Sequence, residues 1–241
     1  MLKPLIHSLL WTRRHLAGQL PAPELPPLLP CLHPDDVFLD VGGHAGSWAV
    51  PASRALPAGH VYAFEALPYY ARVLKTTLAL LRCRNVTVVD GAVTDAEGEV
   101  SVVWKDAAGQ RLTGRTHISR GEEAGAAVAV RAITIDGFWQ NRAGRVRLIK
   151  CDVEGAELKV LRGAIATIDR WRPLVFCELY EEYCANYGYA AADVFEFFAS
   201  RRYHSMQFER GAFYEVRPAD YRGVGDILFV PAELELLAAC A

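Results

Sequence analysis

The stretch Val37–Val41 (VFLDV) runs straight into Gly42-Gly43-His44-Ala45-Gly46, and that junction limits the possible folds more than any other feature of the chain. A short run that is apolar save for one acid reads as a strand buried on both faces, as strands of parallel sheets are. Glycines at its end let the backbone turn sharply and approach a ligand closely. Ser47–Leu56 then reads as a helix, with Pro51 tolerated near its first turn. The alternation continues. Val61–Glu65, Val86–Val89, Val146–Cys151 and Leu174–Leu179 read as further core strands. Helices are expected over Pro68–Arg82, with Tyr70, Leu74, Leu78 and Leu81 on one face, and over Ala156–Ile168 and Asp193–Arg201. Such a pattern predicts a mostly parallel, Rossmann-like α/β sheet. Tyr203–Phe208 and Asp226–Val230 predict an antiparallel terminal hairpin that brings the sheet to seven strands. Gly98–Trp104 with Val128–Ile135 predicts an inserted β pair.

Upstream, residues 21–30 (PAPELPPLLP) carry five prolines and form a stiff connector. The chain thus divides into a helix and connector over 1–30 and a main domain over 31–241. Leu2, Leu5, Ile6, Leu9, Leu10 and Leu16 would share one stripe of the first helix, expected to pack on the domain or cover its site. A membrane-surface helix is the other reading. The segment is interrupted by His7 and Arg13-Arg14, so neither a signal peptide nor a transmembrane span is expected.

A formal charge of −2 lacks the basic footprint of nucleic-acid binding. Six cysteines without a C-x-x-C pair or clustered histidines point away from zinc and disulfides, hence to no metal and a reducing cytoplasm. Cys151 and Cys177 read as core residues.

The chemistry starts at the glycine turn. Its glycines fall at 42, 43 and 46, with His44 where the dinucleotide pattern G-x-G-x-x-G has its middle glycine. Glu65 ends the second strand, 23 residues after Gly42, where an acid can accept hydrogen bonds from both hydroxyls of a ribose. Turn and acid together define a nucleoside-type cofactor site without separating S-adenosylmethionine from NAD. Downstream, Asp152, Glu154 and Glu157 follow a central strand at the same crevice. They can serve chemistry, or cap the next helix, whose N-terminus favours negative charge. Glu157, one turn in, reads as structural, and Asp136 reads as an N-cap or a site residue.

IKCDVEGAELKVLRGA closely resembles the signature of the FkbM family of methyltransferases. DVGGHAGSW, YAFEALP, NVTVVDGAVTDAEGEVSV, AITIDGF and RPLVFCELYEEY resemble that family's other motifs in the same order, over Val37–Tyr183, with a looser echo at Gly225–Pro231. Gly43-His44 stands where the family often has alanine-asparagine, and Ala66 where it often has proline. The resemblance implies a class I methyltransferase fold, S-adenosylmethionine as cofactor, and O-methylation of a sugar, glycan or secondary metabolite. It implies that Asp40, Gly42, Gly43 and Gly46 hold the methionine portion, that Glu65 takes the ribose, and that Asp90 and Ala92 border the adenine.

Methylating a hydroxyl benefits from a base within ~3 Å that removes its proton. Asp152 is the best candidate, its pKa raised by like-charge proximity to Glu154. Glu154 can serve as base, anchor or metal ligand, and His44 is a rival base. Glu178, ending the fifth strand, can bind a substrate hydroxyl. Tyr69, Tyr70, Tyr180, Tyr183, Tyr187 and Tyr189 supply aromatic surface for a glycan or small-molecule acceptor, or simply pack. A homo-oligomer is compatible with all of this. The rivals are an NAD-dependent oxidoreductase, disfavoured by the lack of a Tyr-x-x-x-Lys pair, and a non-catalytic binding module, disfavoured by retention of both the turn and the acids.

Overall fold

The computed structural model describes residues 2–20, 22–112, 116–119, 121 and 125–234. In chain order it contains α1 (Leu2–Leu16), a 3-10 turn (Pro26–Cys31), β1 (Val37–Val41), α2 (Ala49–Ala55), β2 (His60–Glu65), α3 (Pro68–Leu80), β3 (Val86–Asp90), β4 (Ala92–Val93), β5 (Gly98–Lys105), β6 (His117–Ile118) and β7 (Ala126–Ile133). There follow α4 (Ile135–Trp139), β8 (Val146–Cys151), α5 (Glu157–Arg162), α6 (Ile165–Trp171), β9 (Leu174–Tyr180), α7 (Glu181–Ala185), α8 (Ala191–Ala199), β10 (Tyr203–Glu209), β11 (Ala212–Glu215), a second 3-10 turn (Pro218–Asp220) and β12 (Val224–Pro231).

The main sheet has eight strands in the order β11-β10-β12-β9-β8-β1-β2-β3. The five from β3 to β9 pair in parallel, and β12, β10 and β11 are each antiparallel to their neighbour. Every residue of β1 and β8 is buried, as their apolar runs require. Side chains alternate across the sheet. Val37, Leu39 and Val41 pack in the core with α4, α5, α6 and α8, while Phe38 packs in the one with α2, α3 and the first 3-10 turn. The described cysteines are free thiols, and Cys151 and Cys177 are register partners in the core; Cys240 lies outside the described residues.

Three expectations need revision. The sheet gains an eighth strand, because the terminal hairpin is β10–β11, and β12 returns between β10 and β9. Its turn is Arg210-Gly211, both with positive φ (50° and 88°), the geometry a two-residue type I′ hairpin needs. The inserted pair, β5 and β7, belongs to a four-stranded sheet, β4-β7-β5-β6. The helix expected over Ala156–Ile168 is two, α5 and α6, parted at Gly163, where a Cβ would lie 2.2 Å from the Thr94 carbonyl oxygen.

The first helix also packs with an unexpected face. Ser8 and Trp11 are its buried residues, set against α3: the Ser8 hydroxyl donates to the Val73 carbonyl at 3.1 Å, and Trp11 stacks on Tyr70 at 5.9 Å. Small and hydrogen-bonded, Ser8 lets the two helices approach closely, which the larger leucines of the stripe would not. Leu5, Ile6, Leu9, Leu10 and Leu16 are 49–73% exposed. The side chain of Leu2 lies outside the described residues.

Candidate active site

The carboxyl ends of β1, β2 and β8 are stitched together by backbone contacts. Gly42 N–H and Gly43 N–H both donate to the Phe64 carbonyl, at 3.1 and 2.9 Å, and Asp152 N–H donates to the Val41 carbonyl at 3.2 Å. Gly42, with φ +88°, lies so close to the Asp152 carbonyl oxygen that a Cβ would stand 2.1 Å from it. Only glycine fits there. The result is an open-mouthed pocket of about 970 Å³, solvent at its mouth included. Gly42, Glu65 and Asp152 all line it, with His44, Ala92, Lys150 and Glu154. Phe64 and Trp48 add aromatic wall; Thr116, His117 and Ile118 close it from the second sheet. Tyr187 O–H donates to the Ile118 carbonyl at 2.8 Å, so this tyrosine pins β6.

Glu65 is buried at the pocket wall. Its Oε2 accepts from His44 N–H at 3.0 Å and its Oε1 from Leu67 N–H at 2.9 Å. Burial nevertheless pushes its pKa up to about 7. His44 adopts φ +36°, in the left-handed region where asparagine and glycine sit most easily. Its ring lies between Trp11 and Tyr70, 5.1 and 5.2 Å away, and burial lowers its pKa, favouring the neutral imidazole. Its Nε2 is buried without a hydrogen-bond partner.

Asp40 and Lys150 are register partners on adjacent strands and face the same side of the sheet. Lys150, only 6% exposed, reaches three oxygens: its Nζ donates to the Gly42 carbonyl at 2.8 Å and stands 3.1 Å from Asp152 Oδ2 and 3.6 Å from Asp40 Oδ1. Although burial opposes its charge, the two carboxylates outweigh burial and raise its pKa. Asp40 is wholly buried beneath the pocket floor, its pKa raised by desolvation. Lys150 lies within the IKCDVEGAELKVLRGA segment, and the sequence alone assigns it no role. The available signal is that the core strand VRLIKC carries two cations, Arg147 and Lys150, which central strands admit only with partners.

Asp152, Glu154 and Glu178 converge, with one oxygen of each within 4.8 Å of the others. Such a trio has the spacing of divalent-cation ligands, although the Lys150 ammonium already faces Asp152. Glu178 is raised well above the usual carboxylate range, by burial first and the neighbouring Asp152 carboxylate next, so the clustered acids favour holding a proton among them. Asp226, opposite Glu178 in the β9–β12 register, is raised to about 6 by burial and by the acids around it.

Other candidates stand apart from the cavity. Gly43 packs on Ala63 and Leu74, and Gly46 on Leu74, both behind the pocket. Asp90 turns outward to Lys75, 2.7 Å away, while Gly91, Ala92 and Val93 form the wall beside it. Asp136 caps α6, accepting from the Ala166 and Thr167 amides at 2.9 and 2.8 Å, and the N-cap of α4 is Thr134. Buried Glu157 accepts from Val153 N–H and Gly155 N–H, a structural role.

Comparison with known proteins fits this geometry. No protein of curated function matches the sequence. The FkbM methyltransferase from Methylobacillus flagellatus KT superposes with a TM-score of 0.54 at 15% identity, covering 81% of this chain and 44% of that one. This chain therefore spans less than half of that relative, and at such identity the likeness is one of fold. A TehB-like SAM-dependent methyltransferase from Corynebacterium glutamicum gives a TM-score of 0.49 at 12% identity, over 95% and 97% of the two chains. An O-methyltransferase from Bacillus cereus in complex with SAH gives 0.48 at 12%, over 93% and 90%. The model of the methyltransferase FkbM domain matches residues 40–205, from the acid of the glycine turn to the middle of β10, and the chain belongs to that family of methyltransferases.

Proposed function

We propose that the chain transfers a methyl group from S-adenosylmethionine to a hydroxyl of a glycan or small metabolite, with Asp152 as base. One observation carries the reading: Gly42, Glu65 and Asp152, from three different strand ends, line one pocket. The donor set suits the cofactor. Glu65 keeps acceptor capacity on both oxygens for ribose hydroxyls, and the wall of Gly91, Ala92 and Val93 suits a flat purine. Gly42 leaves room for an amino-acid tail that a Cβ would fill. Asp40 supports the turn from beneath through Lys150, and Gly43 and Gly46 let it pack on α3.

The cofactor supplies a methyl group activated by a positive sulfur. Asp152, one-third exposed at the pocket, takes the acceptor's proton as the new oxygen–carbon bond forms and the carbon–sulfur bond breaks. Lys150 fixes the orientation of Asp152 and is a positioning residue. Glu178, raised by burial and by Asp152 toward its protonated form, can donate to the same acceptor oxygen or to a neighbouring one. Glu154 beside Asp152 makes the pocket wall acid-rich, which selects neutral or amine-bearing acceptors over phosphorylated ones.

Asp152→Asn tests the assignment. With labelled cofactor and a panel of glycans and metabolites, turnover should fall ~10²–10⁴-fold while S-adenosylhomocysteine affinity stays within about threefold. Unchanged turnover removes Asp152 from the role. Saturable NADH binding in place of S-adenosylhomocysteine binding removes the methyltransferase reading itself.

A further inference from the structure

The exposed face of α1 is unusual in size and in its surroundings. Leu5, Ile6, Leu9, Leu10 and Leu16, 51, 49, 52, 50 and 73% exposed, cover roughly 140° of the helix circumference at 100° per residue. The opposite side holds Ser8, Trp11 and His15, which bind α1 to α3 and to the Ala45 carbonyl. The leucines therefore add nothing to the core. Scattered exposed leucines are ordinary, but a continuous stripe of five marks a surface that something covers.

Charge identifies the covering surface. α1 contains Lys3, Arg13 and Arg14, all exposed, and no acid. Its packing partner α3 adds exposed Arg72 and also lacks acids. Exposed Arg111 joins Arg13 and Arg14 in a cleft whose described lining contains no acid. This concentration of positive charge occurs in a chain with 28 acidic and 26 basic residues. Packing α1 on α1 of a second copy would bring two such cationic edges together, whereas an anionic lipid surface would neutralise one.

We propose that α1 is a monotopic membrane anchor, its leucine face seated in the interfacial layer of an anionic bilayer and its Lys and Arg residues against the headgroups. At 100° per residue Lys3 and Arg14 fall along one edge of the stripe and Arg13 within it in the last turn, from where its long side chain can reach the headgroups; a leucine face with Lys and Arg is what such helices use. At 15 residues, about 22 Å, α1 lies on the bilayer, and among the described residues no helix is long and apolar enough to cross one.

Sedimentation with vesicles tests the anchor. The full chain should partition onto phosphatidylglycerol–phosphatidylcholine vesicles at least about tenfold more strongly than onto phosphatidylcholine alone, and less as salt rises. Leu9→Glu/Leu10→Glu should weaken that binding at least tenfold (roughly) with circular dichroism and Tm unchanged, because both side chains are half exposed in the fold. Arg13→Glu/Arg14→Glu should abolish the preference for anionic lipid. No partition onto anionic vesicles, or partition that Leu9→Glu/Leu10→Glu leaves intact, overturns the proposal. So does a dimer, seen by light scattering, that the same leucine substitutions dissolve, since the face would then belong to a second copy.

Discussion

Replacing Glu65 with glutamine separates what this carboxylate costs the fold from what it offers a ligand. Burial lifts its pKa from 4.5 to about 7 in the folded chain, overcoming the amides of Leu67 and His44 that favour the ionised form. Because the folded value is the higher one, the folded protein holds more protons than the unfolded chain between those limits. The contribution of Glu65 is most favourable below pH ~4.5 and is lost as pH rises through about 7. A difference of this size corresponds to roughly 3 kcal/mol in full, of which about 2–3 kcal/mol develops between pH 5 and 8. Glutamine does not ionise and escapes that decline. It presents one acceptor oxygen where the carboxylate presents two, so one amide contact is lost at every pH, at about 1 kcal/mol. Glu65→Gln should therefore be about as stable as the parent at pH 5 and more stable at pH 8, by about 2 kcal/mol there. Urea unfolding of both proteins at pH 5, 6, 7 and 8 measures this divergence. In parallel, S-adenosylhomocysteine affinity at pH 8 should fall roughly 10–100-fold, the worth of hydrogen bonds to a charged acceptor. A stability difference flat to ~0.5 kcal/mol across the range refutes the burial argument, and an unchanged ligand affinity refutes the ribose role.

Two further substitutions probe the seam between β1 and β8. Lys150→Met leaves Asp40 buried without its counter-charge and should cost about 3–5 kcal/mol at pH 7 by urea unfolding; because the pKa of Asp40 is already raised, the penalty should shrink in acid, and a loss under ~1 kcal/mol would mean that Lys150 does not hold the pair. Gly42→Ala meets both a positive φ and the Asp152 carbonyl, and should cost at least about 3 kcal/mol and abolish S-adenosylhomocysteine binding, whereas a stable, ligand-binding variant would show that the seam opens freely.

Much of the fold is legible because its central strands sit in uniform surroundings. Val37–Val41 and Val146–Cys151 are buried along their length and mostly apolar because both faces are covered, their few charged residues (Asp40, Arg147 and Lys150) being buried too, and their limits in the structure coincide with those of the runs. Edges are harder. Tyr203–Glu209 and Ala212–Glu215 are half exposed, and their connection depends on an arginine accepting a positive φ, which composition does not announce. The leucine stripe of α1 misleads for a different reason. Periodicity locates an apolar face, but which face turns inward was decided by Ser8, Trp11 and His15, each able to hydrogen-bond or stack on a particular neighbour. At the site, the convergence of Gly42, Glu65 and Asp152 follows from strand order. The direction of each side chain does not: Asp90 faces Lys75 and Asp136 caps a helix distant in sequence, both contacts set by tertiary packing.

The contact of α1 with the glycine turn ties two regions into one lever. Trp11 presses on the ring of His44, whose amide is in turn held by Glu65. A shift of α1 against the turn would reach the pocket through this ring contact and the His44 amide whose hydrogen bond Glu65 accepts. If lipid attachment shifted α1 in that way, ligand affinity and lipid attachment would be coupled, each changing the other by an equal factor.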